Sequence, residues 1–339
     1  MPVSVPPPAS ILVINVSRIG DTLLVTPAVR ALAAAWPRAR ITFLGHPKRV
    51  EILEHLPLIA EAGAITKQRA LWRGRFGGPR WDLALVYGFD QALVAYALRV
   101  ARRTVAFRQG NPGIDARLDP GVEPPPFQAE HAALLPLRLT RALGVPDAGH
   151  RLAYVVTDAE KAWARATLAA RLPAAVQPLV GLQVASFPTK GYRDWPIEHF
   201  IALCERILQR WQNAHLLVFG GDLELARTAE LTGRFPGKAT SFAGALTLRQ
   251  SAALMSQLGL YVGVDTGPTH IMGALEPPMV ALYHCYSPSR LLEPLERPRC
   301  YVVDHPRAQT GCSPETPMAE IAVDTVWDSV AQALAGHPA

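Results

Sequence analysis

Four short segments carry the residue types that group transfer needs. The first is Ser17-Arg18-Ile19-Gly20-Asp21-Thr22, which sets a carboxylate just after the apolar run 11–16. Asp21 there has two readings: a cap for the helix that follows, or a general base kept ionised by the helix N-terminus. The second is Val262-Gly263-Val264-Asp265-Thr266-Gly267-Pro268-Thr269-His270, where another apolar run ends in a turn and Pro268 marks a helix start. Backbone N–H groups at such a start, together with the helix dipole, favour an anion. A diphosphate fits, with Thr266 and Thr269 as hydroxyl donors. A plain helix start capped by Asp265 or Thr266 gives the same pattern.

The third segment is Phe219-Gly220-Gly221-Asp222-Leu223-Glu224. Its carboxylates suit ribose hydroxyls, or they only complement a helix dipole. The spacing G-x-G-x-x-G is not met, so a dinucleotide fingerprint is absent. The fourth is the stretch 186–195, in which Lys190 and Arg193 lie on a loop. A cation there neutralises charge building on a departing diphosphate, or it is solvated.

A fifth stretch, 67–81, interleaves Lys67, Arg69, Arg73, Arg75 and Arg80 with Trp72, Phe76 and Trp81. That mixture suits a membrane interface or a phosphorylated glycolipid, single-stranded nucleic acid, or a solvated loop.

The elements that must position these residues alternate. Apolar runs at 11–16, 41–45 and 83–87 read as buried parallel strands, and helices are expected from Asp21 to Trp36, over 90–102 and over 128–143. The pattern restarts at 179–184, with strands at 215–219, 260–263 and 279–283 and helices over 196–211, 222–234 and 248–257. Alternation of this kind implies parallel sheets with right-handed crossovers. The fold expected is α/β: two Rossmann-like, doubly wound domains facing a central cleft, with ligands outside the carboxyl ends of the strands. The domains are drawn at 1–160, joined by a C-terminal helix 318–339, and at 176–317.

At 339 residues the chain is long enough for two cores, and 49% hydrophobic against 18% charged residues excludes disorder. Residues 1–110 hold 15 Lys or Arg against 6 Asp or Glu; the remainder holds 19 against 22. The positive excess therefore sits in the first half and attracts an anionic partner. No stretch reads as a membrane span. The Pro-rich residues 1–10 read as a floppy tail without a signal core, and the protein as cytoplasmic. Cys204, Cys285, Cys300 and Cys312 are too widely spaced for a metal signature, and ordinary reduced thiols are expected. No Walker loop, H-E-x-x-H or G-x-S-x-G is present.

Taken in order, these segments resemble the heptosyltransferases, family nine of the glycosyltransferases, with the GT-B fold. Residues 17–32, S-R-I-G-D-T-L-L-V-T-P-A-V-R-A-L, are similar to the family's opening. Lys190 to Phe200 resembles K-R-W-P-x-E-x-W/F; Phe219-Gly220-Gly221 with the acidic residues after it, and residues 262–275, resemble two further motifs. Residues 317–321 resemble the family's close. The resemblance implies inverting transfer of a heptose from an ADP-sugar to the inner core of a bacterial lipopolysaccharide, at the cytoplasmic face of the inner membrane. It makes Asp21 the base and Lys190 the partner of the diphosphate. Asp222 or Glu224 becomes the ribose contact, with Arg193, Asp265, Thr266, Gly267 and His270 in the donor site. Arg18, Lys67, Arg69, Arg73 and Arg75 are expected to meet an anionic glycolipid acceptor; no cofactor, metal or nucleic acid is expected. The chain departs from the family at Gly191-Tyr192, at Val264 and over Tyr283–Pro288, all bordering the expected donor pocket. Against this stand a nicotinamide oxidoreductase, which the missing glycine fingerprint disfavours, and a non-catalytic binding module, which Asp21 and Lys190 disfavour.

Overall fold

The structure is a computed structural model that describes residues 7–337. It divides into two compact units, Met1–Val155 and Val156–Ala339. The first holds strands β1 (Ser10–Asn15), β2 (Arg40–Gly45), β3 (Glu61–Ala64), β4 (Trp81–Val86), β5 (Ala101–Phe107) and β6 (Gly121–Val122). They form one parallel sheet in the order β3-β2-β1-β4-β5-β6. The second unit holds β7 (Leu179–Gln183), β8 (His215–Phe219), β9 (Ala239–Ser241), β10 (Leu260–Val264), β11 (Met279–Tyr283) and β12 (Cys300–Asp304). Its parallel order is β12-β11-β10-β7-β8-β9, so each unit places its first strand beside its fourth. This is the doubly wound arrangement, and the loops at the carboxyl ends of β1/β4 and of β7/β10 flank the two switch points where ligands bind.

The apolar runs form the central strands because parallel strands are covered on both faces. Every residue of β8, β10 and β11 is buried. Small residues let neighbours close in: a Cβ on Gly181 would lie 2.4 Å from Leu258 Cδ1. A Cβ on Gly263 would lie 2.6 Å from the Tyr261 hydroxyl, which folds back to meet Thr269 Oγ1 at 2.9 Å.

Several expectations are corrected. The helix drawn from Asp21 to Trp36 is two, Ile19–Leu23 and Thr26–Ala35, because Pro27 restarts the chain at a fresh first turn. Asp21 lies inside the first turn, and the N-cap is Arg18. The helix drawn over 128–143 shrinks to Leu137–Arg141. β5 begins at Ala101, directly after the helix Gln91–Val100, with no breaker between them. Ser10 is no tail residue: it opens β1, and the Ala9 and Ser10 amides each donate to Asp82 Oδ2 at 3.0 Å. Residues 1–6 of the expected tail lie outside the described residues.

The C-terminal helix Val323–Ala333 packs within the second unit, not the first. Val326, Val330 and Leu334 share a core cluster with Trp195, Phe200 and Val280. The Trp195 indole N–H donates to the Ile321 carbonyl at 2.9 Å, which fixes the lead-in to that helix. Cys285 and Cys312 are not free thiols; they form a disulfide with Cα atoms 5.9 Å apart, while Cys204 and Cys300 are free. Among the described residues no helix is long and apolar enough to cross a membrane.

Candidate active site

In the second unit the loop after β7 crosses toward the carboxyl end of β10. The Asp194 carboxylate accepts from the Ser186 amide at 2.6 Å, and the Ser186 hydroxyl donates to the Lys190 carbonyl at 2.7 Å. Arg227 clamps the loop's two ends by donating to the Val184 and Trp195 carbonyls. Burial raises the Asp194 carboxyl above the usual range, against the Ser186 hydrogen bonds and Arg227 that lower it.

The loop's two cations have different fates. The Arg193 guanidinium is spent within the protein. Its Nη1 lies 2.6 Å from Asp265 Oδ2, its Nη2 donates to Ser287 Oγ at 3.0 Å, and its Nε donates to the Tyr192 hydroxyl at 3.2 Å. Asp265 is 1% exposed, so this pair neutralises a buried carboxylate. His270 Nε2 stands 3.5 Å from the other Asp265 oxygen. Lys190, by contrast, is half-buried with its ammonium 5.6 Å from the centroid of the Tyr192 ring. Burial pushes the Tyr192 phenol up, but the Ser287 hydroxyl and the Arg193 and Lys190 cations outweigh it and hold the phenol below its ordinary range.

Beside this cluster the helix Gly267–Ala274 begins. Thr266 is its N-cap, with no side chain closing the cap. Its first N–H groups therefore lack intrahelical partners, and Thr266 and Gly267 are part-exposed. Thr269, expected as a hydroxyl donor to ligand, is 2% exposed and committed to Tyr261 and to the Val264 carbonyl. On the other side of β7, the loop after β8 carries Asp222 and Glu224. Glu224 Oε2 accepts from the Gly221 amide at 2.6 Å, which orients that carboxylate, while Asp222 is exposed.

In the first unit Asp21 is exposed at the carboxyl end of β1, its Oδ2 accepting from the Ser17 hydroxyl at 2.7 Å. Asn15 Nδ2 donates to the Asp21 carbonyl at 3.0 Å, and Arg49 Nη1 braces the loop at the Ser17 carbonyl at 3.1 Å. Arg18 is exposed on the same loop. Lys67 pairs with Asp90 at 2.6 Å, whereas Arg69 and Arg73 line an open depression with Gln68 and Trp72. Arg75 lies over the Trp72 ring, 4.4 Å from its centroid.

Sequence reasoning assigned no role to Arg49, Tyr192, His284, Tyr286 or Ser287. Tyr192 meets His284 edge-on at 5.0 Å and Tyr286 at 6.1 Å between ring centroids, and its hydroxyl lies 3.2 Å from Ser287 Oγ. The departures at 191–192 and 283–288 are thus one cluster, and only their shared departure from the family pattern signalled it. His284, Cys285 and Cys312 bring ligand-type atoms within 4.8 Å of one another. They are committed elsewhere: His284 Nε2 pairs with the Thr316 carbonyl, Nδ1 accepts from the Tyr286 amide, and the sulfurs are bonded. Burial also pushes the His284 imidazole down, toward the neutral form.

The sequence profile of Glycosyltransferase family 9 (heptosyltransferase) matches residues 134–319. Lipooligosaccharide heptosyltransferase 2 of Haemophilus ducreyi is 25% identical over 301 residues, 82% of this chain and 84% of that protein. Among solved structures, a family 9 glycosyltransferase from Veillonella parvula superposes with a TM-score of 0.82 at 19% identity, covering 97% of each chain. ADP-heptose LPS heptosyltransferase II of E. coli superposes with a TM-score of 0.79 at 18% identity, over 97% of this chain and 100% of that one. The structural likenesses establish the two-unit fold of the GT-B heptosyltransferases, and the profile spans more than half the sequence: the chain belongs to glycosyltransferase family 9, the heptosyltransferases.

Proposed function

We propose that this glycosyltransferase moves a heptose, with inversion, from an ADP-heptose to an anionic glycolipid of the lipopolysaccharide inner core. Two observations carry the reading: the Lys190 ammonium makes no ion pair among the described residues and stands 5.6 Å from the Tyr192 ring centroid, and the helix Gly267–Ala274 starts without a side-chain cap after β10, the neighbour of β7. Positive charge and unpartnered amides there suit a diphosphate leaving group.

In this reading the diphosphate takes the Thr266 and Gly267 amides and the Lys190 ammonium. Arg193, held by Asp265, shapes that seat and has little left to offer the ligand. Glu224, already oriented by the Gly221 amide, is favoured over Asp222 for the ribose. Asp21 accepts the proton of the acceptor hydroxyl. The hydroxyl oxygen bonds to the anomeric carbon on the face opposite the diphosphate, the anomeric carbon–oxygen bond breaks, and ADP leaves. The Ser17 hydrogen bond fixes the rotamer of that carboxylate. A lipid-anchored acceptor requires peripheral attachment at the cytoplasmic face of the inner membrane.

Isothermal calorimetry with ADP-, UDP-, GDP- and TDP-sugars tests the donor. ADP-heptose is expected to bind the wild type and to bind Lys190→Ala at least tenfold more weakly. Equal affinity for every nucleotide, or no loss in the variant, removes the assignment.

A further inference from the structure

The basic, aromatic stretch 67–81 is the motif that the donor chemistry leaves unused. The helix Lys67–Trp72 and the loop behind it are pinned at the base. Arg99 Nη2 donates to the Ala70 and Arg73 carbonyls, and the Arg80 amide donates to the Val100 carbonyl. Gly74, at φ +74°, sits so close to the helix Gln91–Val100 that a Cβ would lie 2.3 Å from Val100 Cγ1. Of the three aromatics, Trp81 packs against the core, while Trp72 is 69% and Phe76 90% exposed, with Leu71 50% exposed beside them. No acidic residue occurs between 67 and 81, which holds five cations.

We propose that this protrusion is a membrane anchor: Leu71, Trp72 and Phe76 enter the interface of an anionic bilayer, and Arg69, Arg73, Arg75 and Arg80 collar them at the phosphate level. A pinned base lets large apolar side chains stay exposed without collapsing onto the protein. Aromatic side chains with a basic surround fit the headgroup boundary, and an anionic surface adds attraction for each cation near it. The depression lined by Arg69, Trp72 and Arg73 suits a headgroup phosphate. Single-stranded nucleic acid fits less well, because Arg75 already covers one face of Trp72 and Phe76 projects outward instead of lining a groove.

The inference rests on the glycolipid-transferase reading only for its setting, since vesicle binding is read without turnover. The experiment is co-sedimentation of the full chain with phosphatidylethanolamine–phosphatidylglycerol vesicles and with phosphatidylcholine vesicles, for the wild type, Trp72→Ala/Phe76→Ala and Arg73→Ala/Arg75→Ala. Expected is binding to the anionic vesicles that weakens with salt. Both double variants should bind about tenfold or more weakly while melting at the wild-type temperature. Three results overturn the proposal: aromatic-variant binding equal to wild type, equal binding to both vesicle types, or retention of a single-stranded oligonucleotide in preference to vesicles. Normal transfer to a soluble acceptor by Trp72→Ala/Phe76→Ala, with vesicle binding lost, supports the anchor. Normal vesicle binding with no transfer sinks the transferase reading alone.

Discussion

Lys190 and Arg193 stand three residues apart, yet they answer to different physics. The Arg193 fork is filled by Asp265, Ser287 and Tyr192, and a guanidinium suits that planar, multidentate role where an ammonium does not. Replacing Arg193 with Ala leaves Asp265 buried without its cation, a change expected to cost about 3 kcal/mol or more. Denaturant unfolding should show that loss, and Arg193→Lys should recover little of it. Lys190→Ala removes a group with no such partner. Its melting temperature should stay within a degree or two of wild type, while turnover falls by roughly 100-fold. Asp21→Asn keeps the Ser17 contact geometry but cannot take a proton. Turnover should fall by about 100- to 10,000-fold with ADP affinity unchanged in calorimetry; near wild-type turnover would remove Asp21 as the base.

At the scale of elements, the helix Asp158–Arg171 shows why the second unit begins where it does. Its capping box joins Thr157 and Glu160, and Glu160 also receives the Arg249 guanidinium, Nε at 2.5 Å and Nη2 at 2.7 Å. That pair ties the helix to the helix Leu248–Met255 of the same unit. Burial alone would raise the Glu160 carboxyl. The Arg249 and Thr157 hydrogen bonds overcome it and hold it down at about 2, below the 4.5 of an unperturbed glutamate. A depressed folded-state pKa contributes stability above the unfolded value, and that stability is lost as pH falls from about 4.5 toward about 2. Arg249→Met is therefore expected to destabilise the protein by about 2 kcal/mol at neutral pH. The gap from wild type should close on acidification through that window. A gap independent of pH would mean that Arg249 acts through packing.

At the scale of the whole molecule, the proposed base and the proposed diphosphate seat belong to different units with the same strand order. Ligand binding stabilises what it binds, by about 2.7 kcal/mol at 100 times the dissociation constant. ADP should raise the melting transition of wild type and Asp21→Asn equally, and that of Lys190→Ala less at the same concentration. The C-terminal helix shares the core of the unit that carries the proposed seat. Val330→Ala, at a fully buried position, should lower stability by about 2 kcal/mol. If thermal melting resolves the transitions of the two units, the loss should appear in the one that ADP raises.

Much of the fold was legible in the chain because buried parallel strands are written as local apolar runs. β1, β2, β4, β7, β8, β10 and β11 all fall on such runs. Their ends carry Asp21, Lys190, Glu224 and Asp265, so the residue order already located the candidate chemistry. The strands β3, β5, β6, β9 and β12 escaped. β3 (E-A-G-A) and β9 (A-T-S) are short and poor in apolar residues, and β5 follows its helix without a breaker. Their pairing depends on a neighbour already in place. The family membership likewise rests on motifs that are contiguous in sequence.

Only the tertiary structure decided which groups are free. Thr269 looked like a donor and is consumed by Tyr261; Arg193 looked like Lys190 and is consumed by Asp265. Ser287 lies 94 residues beyond Arg193, and Cys312 lies 27 beyond Cys285. The C-terminal helix joined the second core because Val326, Val330 and Leu334 meet apolar partners there. A hydrogen bond or a buried contact is a relation in space between residues distant in sequence. Residue type states what a side chain is able to do, and packing determines whether anything has already claimed it.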